Sequence, residues 1–269
     1  MITAAIVGLG KIGKIRWSTI SKSPEISLIG FFDPYYISNT GNEELRRFDT
    51  FEDIIMSEVD TVFICCYAVN LTDYTKRALL AGKHVFCEKP PSMSVQSLLD
   101  IKEVVQNSDK ILKYGFNHRY HGSVETAKKL LTEKSLGNII FIRGVYGKAG
   151  SVDFHENWRN FKKYSGGGIL MDQGIHMLDL ISYLLEERLR CEHAIISTRH
   201  WDIEYEDNAM LSLISSSGVM VSVHSSATQW DHKFALEIYG ATGSLKLQGL
   251  VTPSMSYAPE QLTFSLSPF

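Results

Sequence analysis

What this sequence lacks excludes several chemistries. It has only four cysteines in 269 residues, too few for a disulfide scaffold. Cys65 and Cys66 are adjacent in one apolar run and Cys87 lies in another, so they read as buried small hydrophobes of a reducing compartment. No cysteine pair has zinc-finger spacing. No apolar run approaches the roughly 20 residues of a spanning helix, and no basic leader precedes the apolar run at 2–7. The expectation is a soluble cytoplasmic protein with no membrane partner. Positive charge is not in excess: Lys and Arg total 27, Asp and Glu 30, and the formal net charge is −3. That balance gives no support to a nucleic-acid partner. A repeat, a low-complexity tract, a coiled coil, a Ser-centred nucleophile motif, a P-loop lysine and a paired-carboxylate signature are all absent from the sequence.

Apolar residues, by contrast, make up 44% of the chain and aromatics 11%, enough for substantial cores in one large α/β body or two unequal domains. Over the first 117 residues, short apolar runs at 2–7, 26–32, 62–66, 85–87 and 111–116 alternate with helical patterns at 11–20, 70–81 and 94–107. That alternation predicts βαβ units and a mostly parallel sheet with helices on both faces. The stretch 35–47 is polar and irregular. After residue 118 the order changes. A helix is expected at 123–131, a strand at 138–146, a polar and aromatic stretch at 147–168, and a helix at 169–185. Four strands are expected across 194–247, broken near Asp202, Ser217, Trp230 and Gly240, with the alternation of a half-solvated antiparallel sheet around Ser222, His224 and Ser226. The tail 252–269 has three prolines and little periodicity. The division is therefore 1–117 for a doubly wound α/β domain and 118–269 for a second, α+β domain.

Gly8, Gly10 and Gly13 form G-x-G-x-x-G directly after the first strand. The first glycine permits a sharp turn, the second lets backbone approach a pyrophosphate, and the third lets helix and sheet pack closely. The following helix, starting with Lys11 and Ile12, offers its N-terminal amides to phosphate. Asp33 lies 25 residues after Gly8, near the offset of an acid that binds the adenosine ribose. A 2′-phosphate would meet like charge there, so NAD is preferred over NADP. A turn begun by Asp33-Pro34 is the other reading of the same residues.

The fourth strand ends in Cys87-Glu88-Lys89-Pro90-Pro91. In a doubly wound sheet the carboxyl ends of the strands face the ligand crevice, which puts Lys89 near a bound substrate. Glu88 either orients Lys89 or satisfies it, and an ordinary surface lysine fits the pattern equally well. Asn117 and Arg119 lie at the exit of the fifth strand, on the crevice side; Arg119 either meets substrate or ties the domains together. Further along, Gly166-Gly167-Gly168 precedes a helical pattern in which Asp172 and His176 are i,i+4 on one face. An acid and a histidine on an apolar helix are costly unless they serve or satisfy each other. Histidine suits proton transfer at neutral pH, and a nearby acid orients it. A satisfied core pair, or a metal site with Asp179, are the competing readings; no other strong metal motif accompanies them, so none is assigned. Trp158 and Arg159, in the stretch before the glycines, are reasonable sugar or phosphate contacts.

Taken in order, these residues resemble the glucose–fructose oxidoreductase / inositol dehydrogenase (Gfo/Idh/MocA) family. The resemblance rests on the glycine turn at 8–13, Asp33, Ala81-Gly82-Lys83-His84-Val85, Glu88-Lys89-Pro90, Gly115-Phe116-Asn117-His118-Arg119, the triple glycine with Asp172, Gly174, His176 and Asp179, and Glu237-Ile238-Tyr239-Gly240 with Gly243-Ser244-Leu245. It implies an N-terminal Rossmann domain and a C-terminal domain with an open, mostly antiparallel sheet through which members form homodimers or homotetramers. It also implies a catalytic trio of Lys89, Asp172 and His176 and hydride exchange between nicotinamide and a sugar or polyol carbon, His176 taking the hydroxyl proton. Cofactor contacts are expected from the glycine turn, Lys11, Ile12, Asp33, Cys66, Tyr67, Glu88, Lys89 and Asn117. Substrate contacts are expected from Lys89, Arg119, Trp158, Arg159, Asp172 and His176. Trp158-Arg159 resembles the branch acting on nucleotide-linked or surface-polysaccharide sugars. The sequence departs from the family in having Cys66-Tyr67 for Thr-Pro, Leu71 near a usual histidine and Gly122 for a usual proline. It also reads as shortened after the Gly-Ser-Leu strand. A cofactor-binding regulatory or scaffold protein of the same fold, and a reductase of a non-sugar carbonyl or imine, are the alternative functions.

Overall fold

The structure, a computed structural model, describes residues 1–36, 46–150 and 153–267. They divide into two compact units. The first comprises Met1–Gly115 with the short return segment Lys163–Gly166, and the second Phe116–Lys162 with Gly167–Phe269.

The first unit begins with β1 (Ile2–Val7), α1 (Lys11–Ile20), β2 (Ile26–Phe32), β3 (Arg46–Arg47) and α2 (Phe51–Ile55). It continues with β4 (Thr61–Ile64), α3 (Ala68–Leu80), β5 (His84–Cys87), α4 (Val95–Gln106) and β6 (Leu112–Tyr114). The six strands lie in the order β3-β2-β1-β4-β5-β6 and pair in parallel throughout. Strand order reverses between β1 and β4, and the crevice at that reversal is where such sheets bind ligands. Central strands of this kind are buried on both faces, as the continuous burial of Ala4, Ala5, Ile6 and Val7 shows. The sequence pattern misses α2. It has only five residues and is held by local chemistry, a capping box in which the Thr50 hydroxyl accepts from the Asp53 N–H while the Asp53 carboxylate accepts from the Thr50 N–H. The irregular stretch expected at 35–47 is partly ordered: Tyr36 packs edge-on against Phe31, and Arg46–Arg47 adds the edge strand. Residues 37–45 lie outside the described residues.

The second unit contains α5 (Gly122–Thr132), β7 (Ile139–Gly147), α6 (Ile175–Leu185), β8 (Leu189–Ser197), β9 (Asn208–Ser215), β10 (Met220–Ser226), β11 (Lys233–Gly240), β12 (Gly243–Gln248) and β13 (Gln261–Leu266). The seven strands run β13-β12-β11-β7-β10-β9-β8; β7 and β10 are parallel and every other pair is antiparallel. One face packs under the helices, where Val124, Ala127, Met177, Leu180 and Ile181 meet Ile142, Val221, Val223, Leu236 and Leu245, all nearly solvent-free. Burying a side chain of this size contributes about 1.5–3 kcal/mol.

Three expectations are corrected here. Residues 189–248 hold five strands, not four, because the four expected breaks separate five segments. The tail is not featureless: Gln261–Leu266 pairs along the full length of β12. The helix expected at 169–185 is not uniform. Leu170–Gly174 is a π-turn, and regular α-helix starts only at Ile175. Among the described residues, no helix is long and apolar enough to cross a membrane.

Candidate active site

In the first unit, Gly8 takes φ +89°, a value costly for any side chain, and donates its N–H to the Phe32 carbonyl at 2.8 Å. A Cβ on Gly13 would sit 2.0 Å from the Gly8 carbonyl oxygen, whereas one on Gly10 would meet nothing within 4 Å. The turn is thus closed on the sheet side and open at its middle. Gly10 is the N-cap of α1, without a side-chain cap and without an acid in the first turn. The first amides of α1 therefore have no local anion to neutralise, the arrangement that accepts a pyrophosphate. Asp33 braces this turn from the end of β2. One carboxylate oxygen accepts the Leu9 N–H at 2.6 Å and the other the Tyr35 N–H at 2.8 Å. Asp33 starts a local turn, as one of its two readings has it, and it also stands against the glycine loop. Lys11 and Ile12 are exposed at the helix start. The cradle fits a dinucleotide.

At the exit of β4, the backbone of Cys65 and Cys66 lies against Gly8. Burial pushes both thiols well up, so they stay protonated and are no nucleophiles. Tyr67 caps α3, its ring 6.4 Å from Tyr35 and 5.0 Å from Tyr164 between centroids. Leu71, where the family resemblance expects a histidine nearby, is a core residue of this unit at 1% exposure. At the exit of β5, Glu88 is held by the Arg16 guanidinium at 2.6 and 2.8 Å, which also lies over Phe86. Glu88 therefore braces α1 against β5, a role invisible at a separation of 72 residues. Lys89 follows at the strand end.

In the second unit, Asp172 sits on the π-turn and is clamped by two cations. Lys148 Nζ donates to one oxygen at 3.2 Å and Arg159 Nε to the other at 3.1 Å. Lys148 follows β7 and lies over the Phe154 ring; Arg159 belongs to the short turn Trp158–Asn160 and stacks on Trp158. Lys148, Phe154, Arg159, Ile169, Asp172 and Glu206 line one pocket. The Glu206 carboxylate accepts the Gly168 and Leu170 N–H groups at 3.2 and 3.0 Å. A Cβ on Gly168 would come within 2.3 Å of the Glu206 carbonyl oxygen. This contact explains the third glycine. Glu206 was missed from sequence because its partners lie 36 and 38 residues away.

His176, 5% exposed on the first turn of α6, stacks on His118 with ring centroids 4.1 Å apart. Asn117 faces His118, its Oδ1 3.2 Å from Nδ1. Arg119, expected to meet substrate or join the domains, forks onto Asp179 and ties its own turn to α6. That pairing also accounts for Asp179. Among the described residues no group of His, Cys, Asp and Glu is arranged to hold a metal.

Comparison with known proteins decides the family. The model described as an oxidoreductase family with an NAD-binding Rossmann fold matches residues 2–116, and that of the GFO/IDH/MocA C-terminal domain matches residues 124–246. The chain belongs to the GFO/IDH/MocA oxidoreductase family. Its first unit is the NAD-binding Rossmann fold of that family, carrying the glycine turn, Asp33, Glu88 and Lys89. An inositol 2-dehydrogenase of Rhizobium meliloti is 24% identical over 89% of this chain and 73% of its own length. A glucose-6-phosphate 3-dehydrogenase of Bacillus subtilis is 28% identical over 67% of this chain and 53% of its own length. In fold, the chain is similar to the WlbA dehydrogenase of Chromobacterium violaceum, solved in complex with NADH and UDP-GlcNAcA. The TM-score is 0.85 at 21% identity, covering 99% of this chain and 77% of that one.

Proposed function

We propose that this member of the GFO/IDH/MocA family is an NAD-dependent dehydrogenase that interconverts a hydroxyl and a keto carbon of a sugar, polyol or nucleotide-linked sugar. The observation that carries the reading is a buried imidazole, His176, one turn after an aspartate clamped by two cations. Neutral imidazole is the side chain suited to accept a hydroxyl proton near pH 7. Lys89 donates a hydrogen bond to the reacting oxygen and stabilises its developing charge. Asp172, fixed by Lys148 and Arg159, orients the substrate, and Trp158 and Arg159 add sugar contacts. Bound NAD supplies the hydride acceptor. The amides at the start of α1, with Lys11 and Ile12, hold its pyrophosphate, and Asp33 its ribose; Cys66, Tyr67, Glu88, Lys89 and Asn117 are its remaining contacts. Residues 1–117 then bind cofactor, and 118–269 bind substrate.

The names of the relatives support a sugar or polyol substrate, and the UDP-GlcNAcA complex of the WlbA neighbour supports the nucleotide-linked branch. We also infer a homodimer or homotetramer built on the outer face of the second unit's sheet. Strand register aligns Ile195, Met210, His224 and Val145 in one row, and Ile214, Met220, Phe141 and Tyr239 in another. Ile195, Met210 and Met220 are each more than half exposed, an apolar surface that association would cover. Four free cysteines, one of them exposed, support a cytoplasmic location.

Fluorescence titration tests the cofactor assignment: NADH is expected to bind more tightly than NADPH, since a 2′-phosphate meets the Asp33 carboxylate. Tighter NADPH binding would overturn it. NAD reduction assayed with inositol, glucose 6-phosphate, levoglucosan and UDP-GlcNAcA tests the substrate class.

A further inference from the structure

The ring beneath His176 is that of His118, a residue that falls between the spans 2–116 and 124–246 matched by the two family models. His118 lies on the short turn Asn117–Tyr120 and is 5% exposed. Burying an imidazole is unfavourable unless both nitrogens are satisfied, and here both are. Nδ1 stands 3.2 Å from Asn117 Oδ1, which can only accept, so Nδ1 carries a proton. Nε2 stands 3.1 Å from the Tyr146 hydroxyl. Burial holds that hydroxyl in its protonated form, and it completes the hydrogen bonding of the ring. The two bonds together hold the imidazole in one ring orientation. Its other ring neighbours are the edge of His121, Phe234 and His176 itself. The planes of His118 and His176 are 26° apart, close enough to parallel for one ring to support the other.

A leucine would fill this space without needing two hydrogen bonds, and a freely rotating ring would give its neighbour no fixed plane to stack on. We propose that His118 is a positioning residue for His176: a flat wall, itself held by two hydrogen bonds, that fixes the orientation of the His176 imidazole. The titratable groups facing His118 are His121, Tyr146 and His176; those facing His176 are His118, Tyr146 and, one turn earlier on its own segment, Asp172. The proposal rests on the reading of His176 as the base.

The test uses the full chain labelled with 15N in histidine, with NADH bound, and reads the tautomer of the His176 ring from its two nitrogen shifts. Wild type is expected to show one tautomer. His118→Phe, which keeps the wall, retains it; His118→Ala and His118→Gln, which remove the wall, give an averaged ring. With the substrate that turns over in the panel above, His118→Ala is expected to lower kcat by about tenfold or more with KM within about twofold. His118→Phe recovers most of that loss, and NADH affinity is unchanged in all variants. Should His118→Ala fail to fold, the Phe and Gln variants carry the comparison. A wild-type His176 already averaged between tautomers, an unchanged ring in the Ala or Gln variant, or a Phe variant no better than Ala would each overturn the proposal. Failure of the base assignment reads out separately, as full turnover by His176→Asn with the effect of His118 on the ring spectrum intact.

Discussion

Asp172 shows how a single residue becomes a functional candidate on physical grounds. A carboxylate with 16% of its side chain exposed is unfavourable unless compensated, and it is compensated twice, by Lys148 and by Arg159. Such a clamp fixes the carboxylate in one place, which a group that orients substrate requires. Replacing Asp172 by Asn leaves two cations facing each other across a neutral amide. The expected outcome is a loss of about 1–3 kcal/mol of stability, measured by urea unfolding, together with a fall in kcat larger than the rise in KM. An Asn variant with wild-type stability and kcat would remove Asp172 from both roles. The thiols make the converse case. Cys65 and Cys66 are adjacent and close to the glycine turn, yet burial keeps them protonated, so proximity alone gives them no chemistry.

At the scale of the element, the turn Asn117–Tyr120 and the start of α5 are tied to the approach to β13 by Glu260. Its carboxylate accepts the Ser123 N–H at 2.7 Å and lies 2.8 Å from His121 Nδ1. Burial by itself would raise the Glu260 carboxyl, but the Ser123 N–H, the Ser123 hydroxyl and His121 outweigh it and hold the carboxyl down to about 2. A folded-state value below the unfolded one means a contribution present above pH ~4.5 and lost as pH falls through about 2. Glu260→Gln is therefore expected to lower the melting temperature at pH 7 by the equivalent of about 1–3 kcal/mol and to converge with wild type toward pH 2. A difference independent of pH would contradict the role of the charge.

The same elements show what could be read from sequence. β1, α1 and β2 stand where periodicity and the glycine triplet put them, because local pattern determines a central strand and the turn after it. The π-turn under Asp172 has no sequence signature of its own; it follows from packing against Glu206 and Ser225. Strand β13 was illegible because its alternation is masked by exposure on an edge, and its order comes from the ladder with β12. Among the candidate residues of the two units, Gly8, Gly13, Asp33, Asp172 and His176 could be named from spacing. His118, Lys148 and Glu206 act through partners 24 to 58 residues away along the chain, which no local pattern reveals.

For the molecule as a whole, family membership and geometry converge on one activity: a Rossmann unit with an open glycine cradle, and a second unit with a buried imidazole beside a clamped acid. The outer sheet face adds a prediction about assembly. A Met220→Lys variant puts charge in the apolar row next to Phe141 and Ile214. By light scattering it is expected to be smaller than wild type at equal concentration, with its melting temperature for cofactor-bound protein little changed. A wild-type monomer would contradict the assembly.

The central claim, that His176 is the base of an NAD-dependent sugar or polyol dehydrogenase, is tested most directly by comparing wild type with His176→Asn in the NAD-reduction panel while titrating NADH into both. The account predicts turnover of at least one hydroxyl substrate by wild type. It predicts a loss of about 10²- to 10⁴-fold in kcat for His176→Asn, with NADH affinity unchanged. Undiminished turnover by the variant would contradict it.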